Sequence, residues 1–393
     1  MAELEIIKIK EISFTLAKSV ESLSYRSFFS LVKLGEPRIK VLRGFRGVGK
    51  TTVLLQLMSK LQNAIYLSMD HPYIEGFNIY QLGKELIKNG YKTLLIDEIH
   101  YYKNWEKDTK ALYDEFPEVN LILSGSVPLA FEPERRYEII DADPMSFAEF
   151  AKLKGQSFGY VYEGWKTIDE CLKIIASNSW IYEYFNNYLN DGGAFPISFS
   201  YKEKTLSSLY SSIRKSIRED APFFSNVDGE DVRAMEKLLM LLATSTLGEF
   251  SINSIAKTLE ITKYKGYSLV SLLEDMKILR MVRPYGRGPK LVRGDPKLMF
   301  YHPNLRSAVC HVLGITPNIG ALREELAVFS FIGRGWNVYT IKGRKKNPDY
   351  LIEKGKERFV IEVGGENKGK SQLEGFKESL VITEKQLIIL SLF

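Results

Sequence analysis

Residues 39–61, IKVLRGFRGVGKTTVLLQLMSKL, contain the pattern that decides the fold. A β-type run comes before Gly44-x4-Gly49-Lys50-Thr51, and apolar residues at helical spacing follow it. This strand–loop–helix context separates a phosphate-binding P-loop from a chance match to the pattern. The stretch therefore predicts an α/β fold with a parallel sheet, in which the loop holds the phosphate chain of a nucleotide.

The residue types in the loop fit the binding of phosphate. Glycines let backbone N–H groups turn inward around phosphate oxygens, and the following helix adds the positive end of its dipole. We expect Lys50 to reach the β- and γ-phosphates of ATP and the Thr51 hydroxyl to bind Mg²⁺. The other ATP-binding residues expected here are Gly44, Arg46, Gly47, Val48, Gly49 and Thr52.

Two further apolar runs end in polar groups. KTLLIDEIH, 92–100, has the continuous apolar character of a buried parallel strand and closes on Asp97-Glu98. We expect Asp97 to hold Mg²⁺ through water and Glu98 to polarise the attacking water as a general base. VNLILSGS, 119–126, ends in hydroxyl groups, so Ser124 or Ser126 is expected to orient that water. Ordinary loop serines are the alternative interpretation.

The first part of the chain alternates between strand and helix patterns. Strand-like runs at 64–70 and 137–143 add to those above, and helical stretches occupy 78–90 and 104–116. Such alternation predicts a doubly wound parallel sheet with its ligand at the carboxyl ends of the strands.

Length and composition limit the class of protein. A chain of 393 residues, 45% hydrophobic and 26% charged, should hold two to four globular domains. The net charge of +6 permits nucleic-acid binding without arguing for it. Cys171 and Cys310 form no CxxC pair, which excludes a Cys-based zinc site. The N-terminus lacks a signal-peptide pattern, and the longest apolar stretch, 238–248, is too short to cross a bilayer. We expect a cytoplasmic protein without a membrane partner.

Together these motifs resemble those of AAA+-type ATPases of archaea and bacteria. The shared features are the P-loop, LLIDEI, LILSGS, the pair Arg135-Arg136 and PMSFAEF at 144–150, and the resemblance covers residues 40–200. It implies that Arg135 or Arg136 acts on the γ-phosphate as an arginine finger or sensor, with solvated charge as the alternative. It also implies a helical lid on which Pro196, in GGAFP at 192–196, packs against adenine. A Gly-Pro helix stop is the plainer interpretation of that turn.

Residues 250–286 have the spacing of a helix-turn-helix, and a wing-like pair of strand runs follows. We expect a winged helix whose second helix begins near residue 263. The cations expected to contact DNA are Lys263, Lys265, Arg283, Arg287, Lys290 and Arg293. Intramolecular packing or a protein partner is the alternative use of such a domain.

The C-terminal region resembles the PD-(D/E)xK nuclease fold. It gives a helix with Glu324 or Glu325 and then three strand-like runs that include Pro348-Asp349 and Glu362. The resemblance implies a second metal site at Asp349 and Glu362. The lysine expected two residues after the glutamate is replaced by Gly364, so we expect a nuclease-like domain with a damaged active site. A terminal apolar run, LIILSLF, follows these strand-like segments.

These patterns predict five segments: an N-terminal segment at 1–38, the ATPase core at 39–155, a lid at 156–230, a winged helix at 231–315 and the nuclease-like domain at 316–393. The function expected is that of an AAA+-type switch ATPase that uses ATP and Mg²⁺ and acts on or near DNA. Two alternatives stay open: an ATP-controlled nuclease, and a signalling ATPase whose C-terminal modules bind protein. Self-association would allow an arginine finger to act in trans.

Overall fold

The computed structural model describes residues 2–125, 136–156, 165–200, 202–224, 226–248, 250–286, 294–341, 347–366, 369 and 371–392. Arg135, Arg287, Lys290 and Arg293, which the sequence predicts to be functional, lie outside these ranges, as does Ser126. The chain divides into two compact units. Unit 1 is Met1–Asp143 with Arg218–Asn226, and unit 2 is Pro144–Ile217 with Val227–Phe393.

Unit 1 is built on a five-stranded sheet in which all neighbours run parallel, in the order β2-β3-β4-β1-β5. Its strands are β1 Ile39–Arg43, β2 Ala64–Ser68, β3 Thr93–Asp97, β4 Asn120–Gly125 and β5 Tyr137–Asp141. The described helices are α1 Ala2–Lys18, α2 Lys50–Lys60, α3 Ile79–Lys88 and α4 Trp105–Glu115. The predicted α/β fold with a parallel sheet is confirmed.

The register of the sheet brings the ends of several strands to one edge. Arg43 at the end of β1 pairs with Gly125 of β4, and Ser68 at the end of β2 pairs with Asp97 of β3. The carboxyl ends of parallel strands are therefore adjacent, and the loops after β1 and β3 begin at the same edge. All five residues of β3 are buried, as expected of a strand with both faces covered.

The N-terminal segment is part of unit 1. Helix α1 packs against β2 and α2, and Ile6 and Ile9 belong to the core of the sheet. The buried hydroxyl of Ser13 donates a hydrogen bond to the Tyr66 carbonyl oxygen at 2.6 Å. A short 3-10 helix, Ser27–Leu31, then leads toward β1.

Unit 2 is largely helical. Its first helices are α5 Phe147–Leu153, α6 Ile168–Ala176, α7 Trp180–Asn190, α8 Ile197–Ser200 and α9 Thr205–Lys215. The next are α10 Gly229–Thr244, α11 Ile252–Thr258 and α12 Lys263–Asp275, followed by the antiparallel strands β6 Leu279–Val282 and β7 Lys297–Phe300. A π-helical turn, Ser216–Asp220, and a 3-10 turn, Ala221–Phe223, lead the chain from α9 into unit 1.

The end of unit 2 holds a second sheet, in the order β11-β10-β9-β8. Its elements are α13 Pro303–Val312, α14 Ile319–Gly333, β8 Asn337–Tyr339, β9 Tyr350–Lys354, β10 Glu357–Val363, β11 Ser379–Ile382 and α15 Glu384–Leu392. Strands β8, β9 and β10 are antiparallel neighbours, whereas β11 runs parallel to β10.

The terminal apolar run lies in helix α15. The sequence before it, Thr383-Glu384-Lys385-Gln386, has the form of a capping box. Accordingly, the Gln386 Oε1 accepts hydrogen bonds from the backbone N–H and the hydroxyl of Thr383, each at 3.1 Å. This local signal starts a helix in a stretch whose composition would also suit a strand.

Candidate functional site

The loop between β1 and α2 needs glycine for two separate reasons. Gly47 and Gly49 have φ of +88° and +100°, in the region that side chains with a Cβ rarely adopt. A Cβ on Gly44 would lie 2.0 Å from the carbonyl oxygen of Ala142, just after β5. The loop therefore folds as a cradle that larger residues at these positions would fill or distort.

Lys50 is the first residue of α2 and is buried. Its Nζ donates to the carbonyl oxygens of Gly44 at 2.7 Å and Phe45 at 3.2 Å, so the charge lies within the loop. Thr51 is exposed at the start of α2, and Thr52 is half-buried. The N-terminus of an α-helix thus faces the loop, which is the arrangement that binds phosphate.

Arg26 supports the loop from the N-terminal segment, and the sequence analysis missed it. Its buried guanidinium donates to the Val48 carbonyl oxygen inside the loop and, at 2.8 Å, to that of Asp143. A single arginine outside any motif carries no sequence signal of such a role.

Asp97 is buried at the end of β3, and both of its carboxylate oxygens accept hydrogen bonds. Tyr66 donates its hydroxyl to Oδ2 at 2.8 Å, while Ser124 and the backbone N–H of Glu98 donate to Oδ1, the latter at 3.0 Å. Burial, reinforced by the charge of Asp97, raises the pKa of Tyr66, so the phenol stays protonated as a donor. The aspartate is held in one orientation, which suits a residue that holds Mg²⁺ through water.

Glu98 follows in an uncommon backbone conformation, with φ of +48°. Burial, and then the charge of Asp97, raises the pKa of its carboxyl to about 7, although Lys50 and His100 oppose the shift. Its Oε2 is buried and makes no hydrogen bond to any described residue. A desolvated carboxyl group next to the phosphate loop is well placed to accept a proton near neutral pH.

Arg46, the third residue of the loop, forms an ion pair within unit 1. Its Nη1 lies 3.1 Å from Oδ1 of Asp220, a fully buried carboxylate in the segment that returns to unit 1 after α9. Burial acts to lower the pKa of Arg46, but the charges of Asp220 and Glu98 and the contact with Tyr101 together leave that pKa raised. Asp220 lies 174 positions further along the chain, and no motif pointed to it.

Other predicted nucleotide-site residues lie elsewhere. Arg136 directly precedes β5, whose first residue Tyr137 pairs with Ile39 at the amino end of β1. It therefore lies at the sheet edge opposite the phosphate loop, with its Nε 3.6 Å from Asp114. The arginine-finger prediction for Arg136 consequently applies only to the nucleotide of a neighbouring subunit. Pro196 is half-buried before α8 in unit 2, and its contact with adenine stays a prediction.

Asp349, just before β9, and Glu362 of β10 each accept a hydrogen bond from the backbone at or next to the other's position. Glu362 accepts from the backbone N–H of Asp349 at 3.2 Å, and Asp349 accepts from that of Val363 at 2.8 Å. Burial, and then the charge of Glu324, raises the pKa of Asp349 to about 6. Lys297 of β7 donates to Glu324 at 2.5 Å and is the cation that the sequence analysis did not foresee here.

Of the two adjacent glutamates on α14, Glu325 is committed to packing. Its carboxylate accepts from the guanidinium of Arg306 at 2.9 and 2.8 Å and from the Phe300 N–H at 2.9 Å. Both side chains are essentially buried, and this ion pair is structural. Throughout the described ranges, no group of three or more His, Cys, Asp or Glu side chains is arranged to hold a metal ion.

The segment predicted to form a helix-turn-helix has both exposed and paired cations. Lys263 and Tyr264 are exposed at the start of α12, and Tyr264 is 84% accessible. Two of the predicted DNA-contacting cations are already paired: Lys265 with Asp231 at 2.5 Å and Arg283 with Glu274 at 2.9 Å.

In the part of the chain that the structure describes, no helix is long and apolar enough to cross a membrane.

The parallel sheet, the glycine cradle and the acidic pair after β3 define a P-loop ATPase domain. Residues 36–151 match the family model described as an AAA domain, which supports this assignment. Residues 178–318 match a second family model, a domain of unknown function called DUF8612.

Two curated relatives come from Methanocaldococcus jannaschii. The uncharacterized protein MJ1637 is 28% identical over 371 residues, covering 85% of this chain and 76% of its own. The uncharacterized protein MJ1544 is 24% identical over 363 residues, covering 84% and 76%. Similarity therefore extends well beyond the ATPase domain.

The solved structures compared below have low sequence identity to this chain and low TM-scores. A signal transduction ATPase with numerous domains and a tetratricopeptide repeat sensor, PH0952 from Pyrococcus horikoshii, is 13% identical with a TM-score of 0.28. The match covers 80% of this chain and 46% of that one. PCH-2 of C. elegans is 13% identical with a TM-score of 0.24, covering 69% and 67%.

Proposed function

We propose that this protein is a switch ATPase of AAA+ type that binds ATP with Mg²⁺ and hydrolyses it slowly to control how the modules of unit 2 bind DNA. The observation that carries the ATPase part is the position of Glu98. Its carboxyl group is largely buried, follows Asp97 at the sheet edge that holds the phosphate loop, and has an Oε2 that accepts no hydrogen bond from a described residue.

The loop residues fit the phosphates of ATP. Gly47 and Gly49 take up positive φ, Gly44 leaves space for the Ala142 carbonyl oxygen, and the backbone amides at the start of α2 supply donors. Lys50 exchanges its bonds to loop carbonyls for bonds to phosphate oxygens. Thr51 and Asp97 would hold Mg²⁺, which when bound neutralises charge on the phosphates.

Glu98 accepts the proton of the attacking water in this proposal. The pKa of about 7 suits that task, because a base works best when its pKa lies near the working pH. The hydroxyl of Ser124 donates a hydrogen bond to Asp97 and so holds the orientation of that carboxylate. A role for Ser124 in orienting water is compatible with this contact.

Steady-state hydrolysis by Glu98→Gln tests the ATPase part. We expect turnover to fall by about 100-fold or more while the affinity for ATP stays within a few-fold, since removal of a general base slows proton transfer. Glu106→Gln, at an exposed glutamate on α4, is the matched control and should behave as wild type. An unchanged rate for Glu98→Gln would remove the residue from the role of base.

Binding to DNA rests on the surface of α12 and the strands after it. Lys263 and Tyr264 expose a cation and an aromatic ring at the N-terminus of the second helix of a helix-turn-helix, where a recognition helix contacts base edges. β6 and β7 follow as an antiparallel pair, which is the order expected of a wing. The contribution of Arg287, Lys290 and Arg293 is a prediction on residues outside the described ranges.

A second candidate function, metal-dependent cleavage of DNA, is favoured by one observation. Lys297 donates to the carboxylate of Glu324, and its charge opposes the rise in the pKa of Asp349 that burial and Glu324 cause. A cation therefore lies near the carboxylates whose Glu-x-Lys lysine is replaced by Gly364. Plasmid cleavage with Mg²⁺ or Mn²⁺ that disappears in Asp349→Ala and in Lys297→Ala would support it. No cleavage by the wild type at high enzyme concentration would exclude it.

A further inference from the structure

His100 lies between two carboxylates in unit 1. Its Nδ1 is 3.4 Å from Oε2 of Glu98, and its Nε2 is 3.7 Å from Oδ1 of Asp220. The side chains of His100 and Asp220 are fully buried, and that of Glu98 is 16% exposed. Neither ring nitrogen makes a hydrogen bond with a described residue, and each faces one of these carboxylates.

Asp220 belongs to the segment that enters unit 1 from α9. Its Oδ1 lies 3.1 Å from Nη1 of Arg46, 3.5 Å from the Tyr101 hydroxyl and 3.7 Å from Nε2 of His100. A buried carboxylate with a cationic partner is fixed in place, and a fixed carboxylate next to an imidazole fixes the orientation of that ring.

Aromatic rings surround the imidazole on its remaining sides. Tyr101, Phe224 and Phe223 have ring centroids 4.5, 5.7 and 6.1 Å from that of His100. Tyr101 and Phe223 also contact each other edge to face at 5.0 Å. The ring is therefore confined, and the orientation of its nitrogens toward Glu98 and Asp220 follows from packing as well as charge.

We infer that His100 and Asp220 are positioning residues for Glu98. Asp220 orients the imidazole, and the imidazole holds the Glu98 carboxylate toward the nucleotide from a backbone conformation that by itself is unfavourable. The inference rests on the proposed function, because it assigns to the pair the support of the catalytic base. It also makes the segment after α9 a part of the ATPase site, although that segment is remote from the motifs in sequence.

The test measures kcat and KM for ATP in the full-length protein, with affinity for a fluorescent ATP analogue measured separately. His100→Phe keeps the aromatic packing and removes both nitrogens. We expect kcat to fall about tenfold or more with affinity within threefold, as for loss of a residue that orients a catalytic group. Asp220→Asn should also lower kcat. Glu106→Gln, at the exposed glutamate of α4, is the control and should match wild type.

A double-mutant cycle separates positioning from general damage. If His100 acts through Glu98, then Glu98→Gln/His100→Phe should be no slower than Glu98→Gln alone, within about twofold. His100→Asn, which retains a donor near Nδ1, should recover part of the rate. Should His100→Phe unfold, the same cycle with Asp220→Asn in place of His100→Phe decides the matter.

The outcomes distinguish this inference from the proposed function. Slow turnover by Glu98→Gln together with wild-type kcat in His100→Phe and Asp220→Asn would overturn the positioning role alone. Losses that multiply in the double mutant would overturn it as well. Wild-type turnover by Glu98→Gln would overturn both.

Discussion

Arg26 and Val48 are joined by a hydrogen bond from a buried guanidinium to a backbone carbonyl oxygen inside the phosphate loop. The same guanidinium bonds to the carbonyl oxygen of Asp143 at 2.8 Å, beyond the end of β5. One side chain thus ties the N-terminal segment to both the loop and the edge of the sheet. The N-terminal segment therefore helps to shape the nucleotide site.

Replacement of Arg26 by alanine should weaken nucleotide binding by about tenfold or more, because hydrogen bonds from a charged group are worth about 1.5–3 kcal/mol. Titration with a fluorescent ADP analogue measures the effect, and Arg26→Lys should be intermediate because lysine lacks the planar fork. Lys33→Ala, at an exposed cation of the same segment, serves as the control. Unchanged affinity in Arg26→Ala would show that the loop holds its shape without this contact.

Lys50→Ala should abolish detectable binding of ATP. The ammonium group is the loop cation that can reach the phosphates, and its present partners are backbone carbonyls of Gly44 and Phe45. Calorimetric titration with ATP and Mg²⁺ measures binding, with Lys60→Ala at the exposed end of α2 as the matched control. Wild-type affinity in Lys50→Ala would contradict the assignment of the loop as the phosphate site.

Ser124→Ala should raise the Mg²⁺ concentration needed for half-maximal hydrolysis by about tenfold, the usual effect of losing a group that orients a metal-binding residue. The hydroxyl of Ser124 donates to Oδ1 of Asp97, so its removal frees that carboxylate to turn. Mg²⁺ titrations at fixed ATP provide the measurement. Ser59→Ala, at an exposed serine of α2, should leave the titration unchanged. An unaltered Mg²⁺ requirement in Ser124→Ala would mean that Tyr66 and the backbone suffice to orient Asp97.

The double substitution Lys263→Ala/Tyr264→Ala should weaken binding to duplex DNA by about tenfold and make it less sensitive to salt, because it removes a cation and an exposed aromatic ring. Fluorescence anisotropy at two or more salt concentrations measures both effects. Lys237→Ala, at an exposed lysine of α10, controls for the loss of one positive charge. Equal affinity of the double variant and wild type would favour a protein partner for this surface.

His302 should make unit 2 less stable in acid. Its Nδ1 accepts the N–H of Asn304 at 3.2 Å and its Nε2 lies 3.0 Å from the Tyr188 hydroxyl, which itself donates to the Met145 carbonyl. Burial, and then the charge of Arg280, lowers the pKa of His302 to about 3. The folded state therefore keeps the ring neutral while the unfolded chain takes up a proton below about pH 6.5.

The direction of the pH dependence follows from the difference between the pKa of His302 in the folded and in the unfolded chain. Stability from His302 is fully present above about pH 6.5 and is lost as pH falls toward 3, by about 2 kcal/mol at pH 5. The melting temperature should therefore fall more between pH 7 and pH 5 in the wild type than in His302→Gln. His311→Gln, at an exposed histidine, should keep the wild-type difference. Equal pH sensitivity of wild type and His302→Gln would contradict the prediction.

The sequence predicted the fold of unit 1 because its signals are local. Gly44-x4-Gly49-Lys50 lies within eight residues, and the apolar run before Asp97-Glu98 is one uninterrupted strand. Local patterns of this kind carry their structural meaning with them. Helices α11 and α12 lie within 250–286 with Glu260 at a φ of +57° between them, and the winged helix stays a prediction.

The contacts that the sequence did not predict join distant parts of the chain. Arg26 precedes the phosphate loop in the chain and Asp220 follows it by 174 positions from Arg46, yet both contact the loop. Lys297 of β7 likewise contacts Glu324 of helix α14. Single charged residues of these types are common on protein surfaces, so neither spacing nor composition distinguishes them. Only the folded chain brings such residues to their partners.

Unit 1 takes up residues 218–226 only after the chain has passed through Pro144–Ile217. Chains fold from the N-terminus as they are synthesised, so the first 143 residues leave the ribosome without Asp220. Arg46 therefore lacks this partner until Pro144–Ile217 of the second unit has been synthesised. The ATPase site is thus completed late in translation, and a nascent chain that stalls before residue 220 would carry a phosphate loop whose Arg46 lacks this partner.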